Sequence, residues 1–263
     1  MKKRTLNTVT DLEDVVCAMQ EATSLEFVKT PGELLVAVDL ETSGLSPERN
    51  QVLSVYCHVV HRVIEYKEPL HFDALVRLEE SRFKIDPEAM KVNGLSRDIL
   101  ELDTVPTWEQ VTFKLREWLG TLYVSLQAKY VTLISYSGRH FDSSFLHQGF
   151  RLAKLQVPSW LRFADAKNVM QQLVPGEMLQ LPINPQTGRR IQKQVTVFHQ
   201  LTPYFVPEKL LHSAKADTLL LVIILLTGHA KTRIDTRSSL LAYVLQDRDS
   251  VKARSFNDLL HFK

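Results

Sequence analysis

Cysteine is scarce in this sequence, which has Cys17 and Cys57 as its two cysteines in 263 residues. Two thiols without metal-type spacing exclude a disulfide-rich secreted scaffold and favour a reduced, intracellular protein, cytoplasmic or nuclear. An excess of one charge is also missing, because the formal net charge is +2 at pH 7. Dedicated duplex-binding proteins are usually far more basic, so we expect any contact with nucleic acid to be local.

Long apolar runs are missing as well. The run 219–226 is far too short to span a bilayer and predicts a buried helix, so we expect no membrane contact. The residues after Met1 are basic and then polar, without the apolar stretch of a signal peptide, and we expect a protein that is not secreted. Hydrophobic residues make up 44% of the chain, which is enough for one sizeable core.

Two carboxylates stand at the end of a buried-strand pattern. Asp39 and Glu41 follow the apolar run 34–38, and alternate side chains of a strand share a face, so both point to one side while Leu40 points to the other. Like charges side by side at the edge of a core are costly unless a cation lies between them. Carboxylate oxygens are ligands for magnesium or manganese. With 30 acidic residues in the chain, one such pair also arises by chance.

More candidate residues follow these carboxylates along the chain. The turn 42–45 contains Gly44, whose backbone can approach a ligand closely, and Asp142 lies further on in the segment 137–146. His212 and Asp217 are five residues apart, and on one helix that spacing turns the two side chains well over a right angle apart.

The spacing of His212 and Asp217 therefore predicts where a helix begins. Both side chains can face one site when His212 precedes the helix, Ser213 caps it and Asp217 lies in its first turns. Each residue alone has an ordinary explanation. Taken alone, Asp217 would be explained by pairing with Lys215 or Lys231, and Asp142 by a helix N-terminal charge that the dipole favours.

These blocks, in this order, resemble the DEDDh 3′-5′ exonucleases, the DnaQ-like branch of the ribonuclease H-like superfamily. Three family motifs are matched: D-x-E with a T/S-G-L turn at 39–45, an aromatic-Asp step at 141–142, and H-x-A-x-x-D at 212–217. The segment 86–96 also looks like one that many of these enzymes carry between the first two motifs. The resemblance covers most of the chain, from 33 to 228, and the ordered set is specific.

Within that family the sequence is most similar to the three-prime repair (TREX-like) exonucleases. Their Asn-Gly-x-x-Tyr-Asp stretch corresponds to 137–142, and a helix-like tail at 239–245 lies where they have one. Ser137 stands where the family usually has Asn, and we expect it to orient backbone or substrate rather than to bind metal. The resemblance also implies a homodimer.

The resemblance implies a fold and a chemistry. The fold is α/β, a ribonuclease H-like mixed sheet flanked by helices. The reaction is phosphodiester hydrolysis with two divalent cations, Mg²⁺ with Mn²⁺ as a substitute, about 4 Å apart, which activate water and stabilise the leaving oxygen. Asp39 would bridge both ions, and His212 would take the proton. The implied metal ligands are Asp39, Glu41, Asp142 and Asp217.

Substrate contacts are expected around this centre. By resemblance, Leu45 wedges against the terminal base, and the backbone near Glu41 and Thr42 reads the 3′-hydroxyl. The segment 182–193 is predicted as a turn-centred excursion whose arginines either contact phosphates or belong to a solvated loop. Asp165 is interpreted as a helix cap and left out of the metal site. The further substrate-binding candidates are Gly44, Ser137, Phe141, Lys209 and Lys215.

The chain is predicted to consist of an N-terminal helical extension (1–30), an exonuclease domain (31–230) and a C-terminal helical tail packed on the same domain (231–263). A mixed α/β sheet is expected, with an antiparallel meander first and ligands gathering at strand ends. Strands are predicted at 34–40, 52–59, 62–66, 131–135 and 161–164, and helices at 10–22, 108–126, 143–154 and 165–173.

Three functions compete at this stage. The leading one is a metal-dependent 3′-5′ exonuclease that releases nucleoside monophosphates from DNA, with single-stranded or frayed ends preferred. The second keeps the reaction but trims RNA or proofreads for a polymerase, since a single 2′-hydroxyl separates the substrates. The third is a nuclease-like module that only binds nucleic acid or protein. Four converging carboxylates argue against it, and Ser137 is the feature in its favour.

Overall fold

The computed structural model describes residues 3–22, 32–64, 66–138, 141–173, 181–188 and 190–231. The predicted tail beyond residue 231 lies outside these residues. The strands are β1 (Arg4–Thr5), β2 (Glu33–Thr42), β3 (Val52–Val59), β4 (His71–Leu75), β5 (Tyr130–Ser135), β6 (Leu161–Asp165) and β7 (Tyr204–Phe205). The helices are α1 (Val9–Ala22), α2 (Pro87–Asn93), α3 (Arg97–Leu100), α4 (Trp108–Ser125), α5 (Asp142–Leu152), α6 (Ala166–Leu173), α7 (Gln194–Leu201) and α8 (Ala214–Lys231).

A five-stranded mixed sheet forms the centre of the fold. Its strand order is β4-β3-β2-β5-β6, with β3 antiparallel to both neighbours and β2, β5 and β6 parallel to one another. The predicted antiparallel meander and mixed α/β sheet are therefore confirmed. The short strands β1 and β7 pair separately.

The predicted strand 62–66 is wrong, and the third strand is β4 instead. Val63 and Tyr66 are partly buried and pack on the core from a loop, whereas Ile64 between them is exposed. Pairing with β3 resumes where the Val59 amide donates to the Leu70 carbonyl. The apolar residues of this segment thus reflect partial burial in a loop, and the edge of the sheet is filled by a later segment.

Alternation along β2 sends its side chains into two separate cores. Leu35 and Ala37 belong to the core beneath α1, α7 and α8, and Leu34, Val36, Val38 and Leu40 belong to the one beneath α4 and α5. Since Leu40 lies in the second core, Asp39 and Glu41 point toward the first, the side of α8. The sequence pattern predicted this separation.

Helix α8 lies at the centre of the first core. Its residues 219–226 are all buried, which confirms the predicted buried helix. Leu12, Val15 and Val16 of α1 are buried in the same core, so the N-terminal helix packs directly on the sheet's helical layer. Among the described residues, no helix combines the length and the apolar character needed to cross a membrane.

Candidate active site

Three carboxylates meet where β2 ends and α8 begins. Asp39, Glu41 and Asp217 each offer an oxygen, and these oxygens lie within 4.8 Å of one another. All three residues are partly buried. Asp217 reaches the group because α8 starts at Ala214, directly after the capping residue Ser213.

The start of α8 follows the predicted cap. The Ser213 hydroxyl accepts a hydrogen bond from the Ala216 amide at 3.2 Å, and the Ser213 carbonyl accepts one from the Asp217 amide at 3.0 Å. His212 precedes the helix with a left-handed φ of 64°, and its backbone amide donates to Asp217 Oδ2 at 3.0 Å. This hydrogen bond holds the His212 loop beside the carboxylates.

The carboxylates raise one another's pKa. Burial, followed by Asp217, Asp142 and Glu41, raises the pKa of Asp39 well above its ordinary value. Burial together with Asp217 and Asp142 raises the pKa of Glu41 to about 8. Crowded anionic oxygens of this kind become stable as anions when a divalent cation binds between them, and hard oxygen donors suit Mg²⁺ or Mn²⁺. The residues present therefore fit a metal site.

Asp142 approaches the same group from α5. It is 4% exposed, and its carboxylate accepts hydrogen bonds from the Ser135 side chain and the Leu40 amide. It lies outside the group of three carboxylates within 4.8 Å, yet close enough to raise the pKa of Asp39 and Glu41. Burial is the main cause that raises its own pKa to about 7. The structure thus brings the fourth predicted acid to the edge of the cluster.

These shifts predict how metal-free stability depends on pH. The pKa of Glu41 in the fold, about 8, lies above the ordinary 4.5, so the fold favours its protonated form. Its contribution to stability is full below the unfolded value and is lost as pH rises through the folded value. In chelator, Glu41→Gln should therefore melt above the wild type, and the difference should grow between pH 5 and 8. We expect growth of at least about 2 °C, the shift that 1 kcal/mol gives.

Thermal melting at several pH values in chelator, with both proteins in parallel, checks this prediction. Because the two proteins are compared at the same pH, groups that titrate equally in both do not contribute to the difference in melting temperature. A melting difference that stays constant or shrinks with rising pH would show that Glu41 is not held among like charges.

Gly138 fits the Asp142 carboxylate because it has no side chain. A Cβ at this position would lie 1.9 Å from Ser135 Oγ and 2.1 Å from Asp142 Oδ2. Gly138→Ala should therefore displace the Asp142 carboxylate and lower stability by about 1–3 kcal/mol. A shift of about 1 Å in a group at a reacting centre lowers turnover by roughly 10²-fold.

Gly120→Ala is the matched control, because Gly120 lies within α4 and its Cβ would be 4.0 Å from the nearest atom, which belongs to the Trp160 side chain. It should be neutral or slightly stabilising. Urea denaturation and nuclease assays of both variants make the comparison. A fully stable and active Gly138→Ala protein would mean that the loop does not constrain Asp142.

Asp165 supports the loop that follows β5. Its Oδ1 accepts hydrogen bonds from the amides of Ser137 and Lys167, both at 2.9 Å, and Ser137 adopts a left-handed φ of 60°. The interpretation of Asp165 as a cap at the start of α6 is confirmed. Ser137 is thereby held at the mouth of the site.

A cavity of about 960 Å³ opens beside the carboxylates. Ser137 and His212 line it together with Asp39 and Asp217, as the sequence predicted for one shared site. Sequence reasoning missed several other lining residues, which come from separate segments. They are Tyr136, Lys167, Gln192, Gln194, Val195 and Leu211.

The turn after β2 presents an apolar side chain to solvent. The Thr42 hydroxyl donates to the Gly44 carbonyl at 2.8 Å, and Gly44 has a φ of 154° with Asn50 packed where a Cβ would be. Leu45, next in the chain, is 84% exposed. The turn is thus rigid, and Leu45 is the residue that it exposes.

Of the predicted substrate-binding residues, Ser137 lines the cavity, and six do not: Thr42, Gly44, Leu45, Phe141, Lys209 and Lys215. Phe141 packs against Phe145, with ring centroids 5.1 Å apart. Lys215 forms a salt bridge with Glu13 at 2.8 Å, and Lys209 is exposed in a short 3₁₀ helix. The salt bridge with Glu13 does not support Lys215 as a phosphate contact, whereas Lys209 stays a prediction.

The fold is that of the Exonuclease I structures, which confirms the predicted exonuclease-type, ribonuclease H-like architecture. The zinc-bound E. coli ExoI–ssDNA complex matches with a TM-score of 0.58 and 14% identity, over 82% of this chain and 43% of that one. Exonuclease I from Methylocaldum szegediense matches with a TM-score of 0.62 and 13% identity, over 87% of this chain and 45% of that one. The chain thus spans less than half the length of these proteins.

A curated relative gives the likeness in sequence. The chain is 28% identical over 147 residues to the 3′-5′ DNA exonuclease Cap18 of Escherichia coli, covering 54% of this chain and 70% of that protein. No family model matches the sequence. The chain is thus similar in fold to the Exonuclease I structures and in sequence to a 3′-5′ DNA exonuclease.

Proposed function

We propose that this chain is a metal-dependent 3′-5′ exonuclease that hydrolyses DNA from the 3′ end and releases nucleoside monophosphates. The observation that carries the proposal is the group of Asp39, Glu41 and Asp217, with oxygens within 4.8 Å of one another, beside a cavity that Asp39, Asp217 and His212 line. The sequence similarity to a 3′-5′ DNA exonuclease supports the reaction and its polarity. The single-stranded DNA in the Exonuclease I complex supports single-stranded or frayed ends as substrate.

The oxygen ligands of the carboxylate group suit divalent cations. Asp39, Glu41 and Asp217 would hold them, with Asp142 completing the set from the neighbouring helix. When bound, two such ions, Mg²⁺ or Mn²⁺, supply the Lewis acid that activates water and neutralises the leaving 3′ oxygen. Zinc in the Exonuclease I complex supports a metal requirement.

His212 is proposed as the proton acceptor. Its side chain is exposed on a loop that borders the cavity, and its backbone is fastened to Asp217 by the 3.0 Å hydrogen bond. An imidazole in this position can take a proton from water near the carboxylates and pass it to solvent. A residue with both access to solvent and a held backbone suits that role.

Substrate positioning is assigned to the turn after β2. Leu45 is exposed at the end of a rigid turn, which suits an apolar side chain that packs on the terminal base. The backbone of Glu41 and Thr42 would read the 3′-hydroxyl. The TREX-like subtype is inferred from 137–142, and the homodimer implied by that subtype is not supported by the comparisons.

A cleavage assay tests the proposal. Purified protein is incubated with 5′-labelled single-stranded DNA or RNA in Mg²⁺, Mn²⁺ or chelator. We expect DNA to shorten stepwise from its 3′ end in either metal and to stay intact in chelator. Faster shortening of RNA would favour the RNA-trimming alternative. Binding without cleavage in every metal would favour the nuclease-like binding module.

A further inference from the structure

Three basic residues line the cavity that contains the carboxylates. Lys167 lies in the first turn of α6, while Arg190 and Lys193 belong to the segment that leads into α7. They share this cavity with Asp39 and Asp217. One wall region thus carries positive charge next to the proposed metal ligands.

These cations have no acidic partner within the described part of the chain. None of the three forms a salt bridge there, whereas Lys215 is neutralised by Glu13. Unpaired cations that border a cavity attract an anionic ligand. The ligand must also tolerate the nearby carboxylates, which a metal-binding polyanion does.

The segment that carries Arg190 and Lys193 is held in place. The Gln194 side chain donates to the Asp217 carbonyl at 2.6 Å, and the Tyr136 hydroxyl donates to the Gln192 carbonyl at 3.0 Å. Arg190 itself forms a β-bridge with Ile183. The segment therefore keeps a defined position relative to the acids, which favours phosphate contact over a freely solvated loop.

We propose that Lys167, Arg190 and Lys193 bind backbone phosphates of the nucleic-acid strand on the 5′ side of the scissile bond. This inference rests on the proposed function and names how the same site holds its substrate. The cavity volume of about 960 Å³ lies at the top of the range of roughly 300–1,000 Å³ for small-molecule pockets. It is therefore large enough for more than the terminal nucleotide. Phosphate contacts carry no sequence information, so the grip is independent of base identity.

Salt-dependent binding tests the inference. A 5′-fluorescent oligothymidylate of about 20 nucleotides is titrated with the full chain in chelator, where no cleavage occurs, at several salt concentrations. Each phosphate contact to a single strand contributes about 0.7 to the slope of log K against log salt. Changing Lys167, Arg190 and Lys193 to Gln should therefore lower the slope by about 2. The single variant Lys193→Gln should lower it by about 0.7.

A control triple variant separates local contacts from net charge. Lys114→Gln, Arg151→Gln and Lys154→Gln remove the same charge from α4 and the end of α5, and this protein should keep a slope within about 0.7 of the wild type. Equal slopes for the two triple variants would overturn the inference. If a triple variant fails to fold, the single variants Lys193→Gln and Lys114→Gln, both at exposed residues, allow the same comparison of slopes.

Strand length assigns the contacts to the 5′ side. The loss of affinity in the cavity triple variant should be greater for the long oligonucleotide than for a dinucleotide. An equal loss for both would place the cations on the terminal nucleotide and overturn the assignment. If the wild type binds with the expected slope but cleaves nothing in any metal, the proposed function fails. The inference that Lys167, Arg190 and Lys193 bind phosphates is then retained.

Discussion

Replacing Asp39 with Asn is expected to abolish DNA cleavage and, at the same time, to raise the melting temperature of the chelator-treated protein. Asp39 contributes to the group of three carboxylates, and its pKa is raised by burial and by Asp217, Asp142 and Glu41. Asn keeps the shape but removes one of the mutually repelling charges, so the fold loses an unfavourable interaction. Loss of a group that acts as a unit with its neighbours lowers turnover by about 10³-fold or more.

Asp39→Asn should lower activity and raise stability, and these opposite effects distinguish the site from an ordinary structural carboxylate. The wild type should also gain thermal stability from Mn²⁺, because a ligand that binds the folded state stabilises it, and Asp39→Asn should lose most of that gain. Melting curves with and without Mn²⁺ and stepwise cleavage assays make both measurements. Asp103→Asn, at a fully exposed acid, is the control that should change neither. A cleavage rate within tenfold of wild type would remove Asp39 from the centre of the site.

The fold was predictable where local patterns coincide with burial. The alternation along β2 predicted which core each side chain enters, and the cap at Ser213 predicted where α8 begins. The capping box at Thr107 and Gln110 likewise agrees with a helix that starts at Trp108. The strand predicted at 62–66 is wrong because its apolar residues Val63 and Tyr66 pack on the core from a loop. Strand pairing is a non-local choice that alternation does not encode.

The carboxylates were predictable because their family spacing and their strand and helix positions agree. The basic residues of the cavity were predictable in part, because the arginines of 182–193 were expected either to contact phosphates or to belong to a solvated loop. Lys215 lies close to His212 in sequence, but two helical residues turn a side chain by about 200°, so Lys215 points away from Asp217. Its salt bridge with Glu13 agrees with that rotation. The helical period was the signal in the sequence from which the direction of Lys215 could have been predicted. Lys167 reaches the cavity through the parallel pairing of β5 and β6, which no local pattern reveals.

Replacing His212 with Asn is expected to lower the cleavage rate by about 10²–10⁴-fold, the contribution of a general base, with little change in stability. The choice of Asn follows from the backbone. His212 has a φ of 64°, a conformation that Asn tolerates better than other residues with side chains, so the amide can still donate to Asp217 Oδ2. What the variant loses is the imidazole that borders the cavity.

Single-turnover cleavage, oligonucleotide binding in chelator and Mn²⁺-dependent melting separate the proposed role of His212 from a structural one. Binding and melting should stay close to wild type, because the carboxylates and the loop are retained, while the rate of bond cleavage falls. His71→Asn, at an exposed histidine on β4, should leave all three measurements unchanged. If His212→Asn cleaved at the wild-type rate, the proton acceptor would be another group. The carboxylate cluster could then still hold metal, so this result would separate the assignment of the base from that of the metal site.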